Sequence, residues 1–368
     1  MLNERGQVDI KVFYTWGEGV LQNKFDPGFG KNIKWDIPLL DGYEYQFVEN
    51  VASDPGSHHF RGINNPTLIK DIKDWEANVI LVYGWNFKSH LSCLRYFHNK
   101  IPVYFRGDSI LADQKTTIKS LMKKFVLTWV YHHVDKAFYV GTENKKYFLN
   151  FGLKSSQLVF APHAIDNSRF ADKNGSYEHD ANEWKLKLGI QPAELVIVYA
   201  GKLEPIKNLD WLIDSIKERK EVAMKLIVVG NGPLEKELKE KVSGDGRFLF
   251  VDFQNQTLMP VVYRLGQVFI LCSKSETWGL SINEAMACGR AILVSETCGC
   301  APNLVKNNIN GYVFKLTDQE DFICKIETLS NNNDLVKRMG VESSRIIDNW
   351  NYEKVGEAIE KTVYNISN

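Results

Sequence analysis

The sequence has no excess of charge of either sign. Its 368 residues include 45 lysines and arginines and 45 aspartates and glutamates, so the formal net charge is zero. A dedicated nucleic-acid-binding protein carries a broad basic surface, which this balance excludes. We therefore expect no nucleic-acid partner, and any anion-binding site must be local.

Paired cysteines and long apolar runs are also lacking. The six cysteines show no paired zinc-ligand spacing, and Cys298 and Cys300 form a lone C-x-C for which a packing role competes with metal or redox chemistry. Residues 1–7 are charged, and no stretch approaches the ~18 apolar residues that span a bilayer. We expect a cytoplasmic protein with at most peripheral contact to the inner membrane face.

Regular patterning is present along the whole chain. The length predicts about two domains, and short apolar runs alternate with amphipathic stretches, which is typical of βα units on parallel sheets. We predict an α/β protein with two doubly wound, Rossmann-like domains. The predicted strands are residues 10–14, 79–82, 103–105, 136–140, 158–161, 195–200, 225–229, 248–251, 268–272 and 291–295. The predicted helices are residues 111–134, 144–150, 209–217, 234–242 and 280–288.

Composition also predicts the domain borders. Residues 171–183 have almost no apolar side chain, which suits a linker between an N-terminal domain of residues 1–170 and a C-terminal domain of residues 184–350. Residues 351–368 form a predicted terminal helix whose apolar residues share one face. This helix needs a surface to cover, and either the second domain or the first could supply it.

The loops that follow the strands hold the candidate site, because ligands of doubly wound sheets bind outside the carboxyl ends of the strands. Gly201, Lys202 and Lys207 follow the strand at 195–200 and could hold a diphosphate near a helix N-terminus. Two lysines in a loop are also common on a plain solvated surface, so the pair alone decides nothing.

A second loop, Gly230-Asn231-Gly232, follows the strand at 225–229. Its glycines allow close approach of the backbone to a ligand, and the same residues ahead of Pro233 also suit a tight turn into a helix.

A third loop leads from the strand at 268–272 into a helix. It contains Ser275, Glu276, Gly279 and Leu280, with Glu284 about one turn inside the helix. Two acidic residues therefore bracket a glycine turn whose backbone N–H groups could face an anion. The alternative is structural, because a serine three residues before Glu284 makes this residue part of a possible capping box.

Together these loops resemble the donor half of the retaining GT-B glycosyltransferases, family 4, also described as glycosyl transferases group 1. The turn at residues 162–166, which leads to Arg169-Phe170, resembles the segment that leaves the first domain in that family. The resemblance covers most of residues 155–320 in the expected order, and it implies two domains facing a cleft.

The resemblance implies that a nucleotide sugar binds the second domain. Lys202 and Lys207 would hold its diphosphate, helped by backbone N–H groups of Gly279 and Leu280. Glu276 would contact the sugar hydroxyls and Glu284 the ribose. Fixed cations and N–H dipoles would then stabilise the charge that develops on the departing phosphate. No Asp-x-Asp occurs in the chain, so we expect the lysines to serve in place of a metal, with no cofactor and no essential metal ion.

The first half offers fewer candidates. Arg106 stands where many members of the family resemble one another in having a histidine. It could hold a donor phosphate or an acceptor anion, while Asp108 could accept a proton from the acceptor hydroxyl. The alternative is an Arg–Asp pair that only shapes the loop. Trp85, Asn86 and His163 are further acceptor-side candidates.

The start of the chain differs from the resemblance. Residues 2–7 suggest the last turn of a helix feeding the strand at 10–14, whereas a member of the family would begin one strand and one helix earlier. We expect a first domain that lacks its first strand, glycine loop and helix, either because the start has diverged or because the chain begins late.

The resemblance predicts a retaining glycosyltransferase that moves a sugar from a nucleotide-sugar donor to a hydroxyl of a carbohydrate or glycolipid acceptor. We expect a role in surface polysaccharide or glycolipid synthesis. The alternatives are a non-catalytic sugar-nucleotide-binding relative and, less in keeping with the paired glutamates and lysines, an epimerase. Residues 115–131 could contact a membrane loosely or form a packed helix.

Overall fold

The structure is a computed structural model that describes residues 2–20, 24–111, 118–191, 194–219 and 223–367. The strands in these ranges are β1 (Lys11–Tyr14), β2 (Lys24–Asp26), β3 (Lys31–Ile33), β4 (Glu44–Phe47), β5 (Ile80–Tyr83), β6 (Val103–Arg106), β7 (Lys136–Tyr139), β8 (Leu158–Phe160), β9 (Leu195–Ala200), β10 (Met224–Val229), β11 (Phe248–Val251), β12 (Val268–Leu271), β13 (Ala291–Ser295) and β14 (Gly311–Phe314).

The α-helices in the same ranges are α1 (Leu68–Asp74), α2 (Lys88–Phe97), α3 (Ile118–Tyr131), α4 (Thr142–Asn150), α5 (Asn167–Phe170), α6 (Ser176–Lys187), α7 (Leu209–Lys217), α8 (Glu235–Lys241), α9 (Met259–Arg264), α10 (Leu280–Ala287), α11 (Ala301–Leu304), α12 (Gln319–Ser330), α13 (Asn333–Ile347) and α14 (Tyr352–Ser367). Among these helices, none combines the length and the apolar character that crossing a bilayer requires. The part of the predicted helix at 112–117 lies outside the described residues.

The chain divides into two compact units. The first contains Met1–Lys24, Pro38–Pro162 and Tyr352–Asn368, and the second contains Phe25–Ile37 and His163–Asn351. The main border is therefore at residue 162, and a short segment near the N-terminus belongs to the second unit.

The first unit is built on a parallel sheet with the strand order β5-β6-β7-β8. Helices α1 to α4 enclose an apolar core in which Leu94, Val103 and Val130 are fully buried. The predicted strand at 10–14 is β1, and it pairs in parallel with β4, a strand that the sequence pattern did not indicate.

The terminal helix α14 packs on the first unit. Val355, Ile359 and Val363 contact a small cluster that includes Tyr104 and Phe138 on the sheet. The hydroxyl of Tyr104 also donates a hydrogen bond to a backbone carbonyl of this helix, 3.0 Å away. The apolar stripe read from the sequence thus covers the domain that lies far earlier in the chain.

The second unit contains a fully parallel six-stranded sheet with the order β11-β10-β9-β12-β13-β14. Its central strands β9, β10, β12 and β13 are buried at almost every position, which explains why they are nearly continuous apolar runs in the sequence. Strand order reverses between β9 and β12, and this is the position at which doubly wound sheets bind ligands.

The predicted linker at 171–183 is wrong. These residues lie inside the second unit, where α6 packs against α9 and Ala181 is fully buried. Their polar side chains have partners within the fold. The Glu178 carboxylate lies 3.2 Å from the Arg290 guanidinium and 3.7 Å from that of Arg264, and Asp172 accepts a hydrogen bond from the Glu178 backbone N–H. Residues 171–183 therefore contain few apolar side chains because they include the polar, ion-paired surface of α6.

Candidate functional site

The loops after β9 and β12 meet at the point where strand order reverses. The loop after β9 closes in a short 3-10 helix, Pro205–Lys207, and the ammonium of Lys207 forms an ion pair with the carboxylate of Glu276 from the loop after β12. Backbone contacts fasten the two loops together, because the Lys274 N–H donates to the Ile206 carbonyl at 2.8 Å. The structure thus brings one predicted lysine and one predicted acid into contact.

The N-terminus of α10 opens beside Glu276. Gly279 has φ 98° and caps the helix, which begins at Leu280. A Cβ atom on Gly279 would lie 2.7 Å from the Leu271 side chain and 3.5 Å from Cγ of Glu276, so glycine is required there by both conformation and space. Ser275 is exposed next to Glu276. Free N–H groups at a helix start favour an anion, and here they lie beside the Lys207–Glu276 pair.

Lys202 contacts a segment from the start of the chain. Its ammonium lies 2.9 Å from Oδ1 of Asp26 and 5.2 Å from the ring centroid of Phe29. Burial alone would raise the pKa of Asp26, but the hydrogen bond from Lys202 and backbone N–H groups of Phe29 and Gly28 hold this pKa below its ordinary value. A Cβ on Gly28 would lie 2.5 Å from a carboxylate oxygen of Glu204, which shows how closely this segment packs on the loop after β9.

Glycines of the first two predicted loops allow those loops to pack against each other. Gly230 has φ 133°, and a Cβ there would lie 2.0 Å from the carbonyl oxygen of Gly201. A Cβ on Gly232 would lie 2.7 Å from the backbone of Leu203. These glycines are therefore needed because the backbones of the two loops are in contact, which agrees with the interpretation of this G-x-G as a tight turn.

Asn231, which lies between these glycines, links neighbouring segments through hydrogen bonds of its side chain. Its side-chain amide donates to Glu235 at 2.8 Å and to Asp252 at 3.1 Å, and its side-chain oxygen accepts from the Phe253 N–H at 2.9 Å. Both ends of the amide thus hold neighbouring loops in place.

Glu284 is half-buried and contacts α9 through Tyr263. The hydroxyl of Tyr263 donates to its carboxylate at 2.5 Å, and Arg169 lies near enough to interact electrostatically. Burial raises the pKa of Glu284 above its ordinary value, and these two neighbours lower it only in part. The capping-box reading is wrong, because α10 begins at Leu280 with Gly279 at the cap and without a side-chain cap bond.

His163 belongs to the second unit. Its backbone carbonyl accepts a hydrogen bond from the Asn283 side chain at 2.8 Å, and its ring lies 5.8 Å from that of Trp278. The Trp278 indole N–H in turn donates to Asn283 at 2.9 Å. His163 is therefore held against α10 by the hydrogen bond from Asn283.

Arg106 in the first unit is buried at the end of β6. Its guanidinium donates to the carbonyls of Ala161 at 3.1 Å and Pro162 at 2.9 Å. Burial lowers the pKa of Arg106, with Tyr83 and Asp108 acting in the opposite direction. These bonds fix the backbone where the chain leaves the first unit.

The remaining first-unit candidates lie on loops after strands. Asp108 is half-buried two residues after β6, Trp85 packs on the edge of the apolar core, and Asn86 is exposed.

Comparison with known proteins assigns the second unit to a family. Residues 180–345 match the family described as glycosyl transferases group 1. These residues are a group 1 glycosyltransferase domain. The N-acetyl-alpha-D-glucosaminyl L-malate synthase of Bacillus anthracis is 22% identical over 239 residues, which cover 59% of this chain and 62% of the synthase. The chain thus spans less than two thirds of that relative.

Two solved structures are similar over most of the chain. The Anabaena protein Alr3699/HepE, in complex with UDP and glucose, aligns over 88% of this chain and 86% of its own, with 16% identity and a TM-score of 0.66. The sucrose-phosphate synthase of Thermosynechococcus elongatus aligns over 99% of this chain and 90% of its own, with 14% identity and a TM-score of 0.71. The predicted GT-B class, with two Rossmann-like α/β domains, is confirmed.

Three residues around the group 1 domain's site were not predicted. Tyr263 donates a hydrogen bond to Glu284, and Asn283 donates one to the backbone carbonyl of His163. The signal for Asn283 in the sequence is its place in the helix that follows the predicted glycine turn. Asp26 gave no signal, because it lies in a polar stretch far from Lys202 in the chain.

Proposed function

We propose that the protein is a retaining glycosyltransferase that transfers a sugar from a nucleotide-sugar donor to a hydroxyl of a carbohydrate or glycolipid acceptor. The observation that carries this proposal is the Lys207–Glu276 pair beside the N-terminus of α10, at the reversal of strand order in a group 1 domain. The similar Anabaena protein was solved with UDP and glucose, so UDP-glucose is the first donor to test.

The chemistry follows from the charges at this position. When the bond from the sugar to the phosphate breaks, negative charge grows on the departing diphosphate. The ammonium groups of Lys207 and Lys202 and the backbone N–H groups of Gly279 and Leu280 are fixed before the reaction and stabilise this charge. Glu276 holds Lys207 in place and can accept hydrogen bonds from sugar hydroxyls, and Glu284 is our candidate for the ribose.

We propose that this reaction needs no metal ion. The two lysines supply the positive charge that a divalent ion would give to a diphosphate, and the Asp-x-Asp pattern is missing from the chain. Turnover should therefore persist in excess EDTA. Loss of turnover in EDTA that magnesium restores would contradict this part of the proposal.

The decisive test compares two lysines of similar burial. Lys207→Ala should slow release of UDP from UDP-glucose by roughly 10²–10³-fold, because one fixed charge is removed from the leaving group. Lys225→Ala is the control. Lys225 is paired with Glu194 at the opposite, amino edge of the sheet, and its side chain is 19% exposed against 21% for Lys207.

Equal rates for both variants would contradict the proposal. Binding of the donor without hydrolysis or transfer, measured with candidate acceptors, would instead support the non-catalytic reading. Proton NMR of the product at the anomeric position tests retention, since the linkage should keep the configuration of the donor.

A further inference from the structure

Helix α3 of the first unit has two apolar faces. Leu127, Val130 and Tyr131 are buried in the core. The opposite face carries six large apolar side chains, each between 41% and 79% exposed, which are Ile118, Leu121, Met122, Phe125, Val126 and Trp129. Their spacing places them on one stripe that covers roughly 140° of the helix circumference. Single exposed apolar residues are ordinary, but a contiguous stripe of this size marks an interaction surface.

The charges beside this stripe have one sign. Lys119 and Lys123 lie on one flank and Lys124 on the other, and α3 contains no acidic residue. The guanidinium of Arg95 lies 5.6 Å from the ring centroid of Trp129 at the end of the stripe. Cations thus border the apolar face.

This charge pattern distinguishes between two kinds of partner. In a twofold contact between two copies of the chain, the same surface meets itself, so the lysine flanks of the two helices would come together and repel. An anionic bilayer offers apolar chains to the stripe and phosphates to the lysines, with an aromatic residue such as Trp129 favoured at the boundary.

We propose that the outer face of α3 docks the protein on the surface of an anionic phospholipid bilayer, with the helix in the plane of the membrane. Ile118, Leu121, Met122 and Phe125 enter the boundary between headgroups and acyl chains, and the flanking lysines contact lipid phosphates.

Sedimentation with vesicles tests this proposal. The chain should bind vesicles of phosphatidylglycerol and phosphatidylcholine at least tenfold more tightly than vesicles of phosphatidylcholine alone, and high salt should weaken binding. A double variant, Leu121→Ser with Phe125→Ser, should lose at least tenfold in affinity. Leu186→Ser on α6 and Val341→Ser on α13 are the controls, because these side chains are 71% and 67% exposed on helices of the second unit.

Lys119→Gln, Lys123→Gln and Lys124→Gln together should abolish the preference for anionic vesicles while leaving the fold intact, as checked by circular dichroism. Binding of the double serine variant equal to that of the controls would overturn the proposal. So would a dimer in analytical ultracentrifugation that the serine variant dissociates, because this result would assign the face to a second copy. Release of UDP without vesicles should be unchanged in all these variants, which separates this test from that of the proposed function.

Discussion

The carboxylate of Asp26 stands beside Lys202, where a diphosphate would also bind under the proposed function. The two anions would compete for one ammonium, and the ion pair between half-exposed side chains contributes at most about 1 kcal/mol. Asp26→Asn should therefore tighten UDP-glucose binding up to about fivefold, as measured by calorimetry. Asp36→Asn is the control, since this carboxylate of the same segment accepts from the Thr257 N–H instead. Weaker binding by Asp26→Asn would mean that Asp26 supports the donor.

Glu284 should make the free energy of unfolding of the protein depend on pH. Its raised pKa means that the folded state holds a proton longer than the unfolded chain does. As pH rises from the ordinary glutamate pKa through the raised folded value, the wild type should lose free energy of unfolding relative to Glu284→Gln, and below this window the difference should be constant. Urea unfolding between pH 4 and pH 7 measures it, with Glu237→Gln on the exposed side of α8 as the control.

The same variant tests the ribose role. Glu284→Gln should weaken donor binding while Glu237→Gln leaves it unchanged. A difference in stability that stays constant across the pH range would contradict the buried carboxylate, and unchanged donor binding would contradict the ribose contact.

At the scale of elements, α14 is an integral part of the first unit. Ile359 packs on a cluster with Tyr104 and Phe138, both nearly or fully buried. Ile359→Ala should cost about 1–2 kcal/mol, since the side chain is only partly buried. Hydrogen exchange should accelerate in β6 and β7 and remain unchanged in β12. An equal change in both sheets, or none, would show that α14 does not stabilise the first unit.

For the whole molecule, the proposed function predicts that a donor stabilises one unit. Because the three loops assigned to donor binding lie in residues 201–284, UDP-glucose at 100 times its dissociation constant should stabilise the second unit by about 2.7 kcal/mol. Hydrogen exchange should slow in β9 to β13, while β5 to β8 of the first unit exchange as before when no acceptor is present. Protection confined to the first unit would contradict the placement of the donor site.

The sequence by itself determined most of the second unit. Strands β9, β11 and β13 have the bounds that were predicted. The central strands of a parallel sheet, such as β9 and β13, are covered on both faces and are therefore apolar at nearly every position. Strand β12 ends only one residue earlier than predicted, so the loops that follow β9 and β12 could be located for the same reason. The short-range pattern was therefore enough to predict that Lys207, Glu276 and Gly279 lie in loops at the carboxyl ends of strands.

Only the tertiary structure decided which surfaces meet. Asp26 reaches Lys202, α14 covers the first unit, and the polar residues around Glu178 pair with buried arginines rather than forming a linker. Arg106 likewise proved to be tied to backbone carbonyls. These contacts join residues far apart in the chain, and hydrophobic periodicity records only that a face must be covered. What covers it depends on shape and charge complementarity between distant segments, which appears only when the chain is folded.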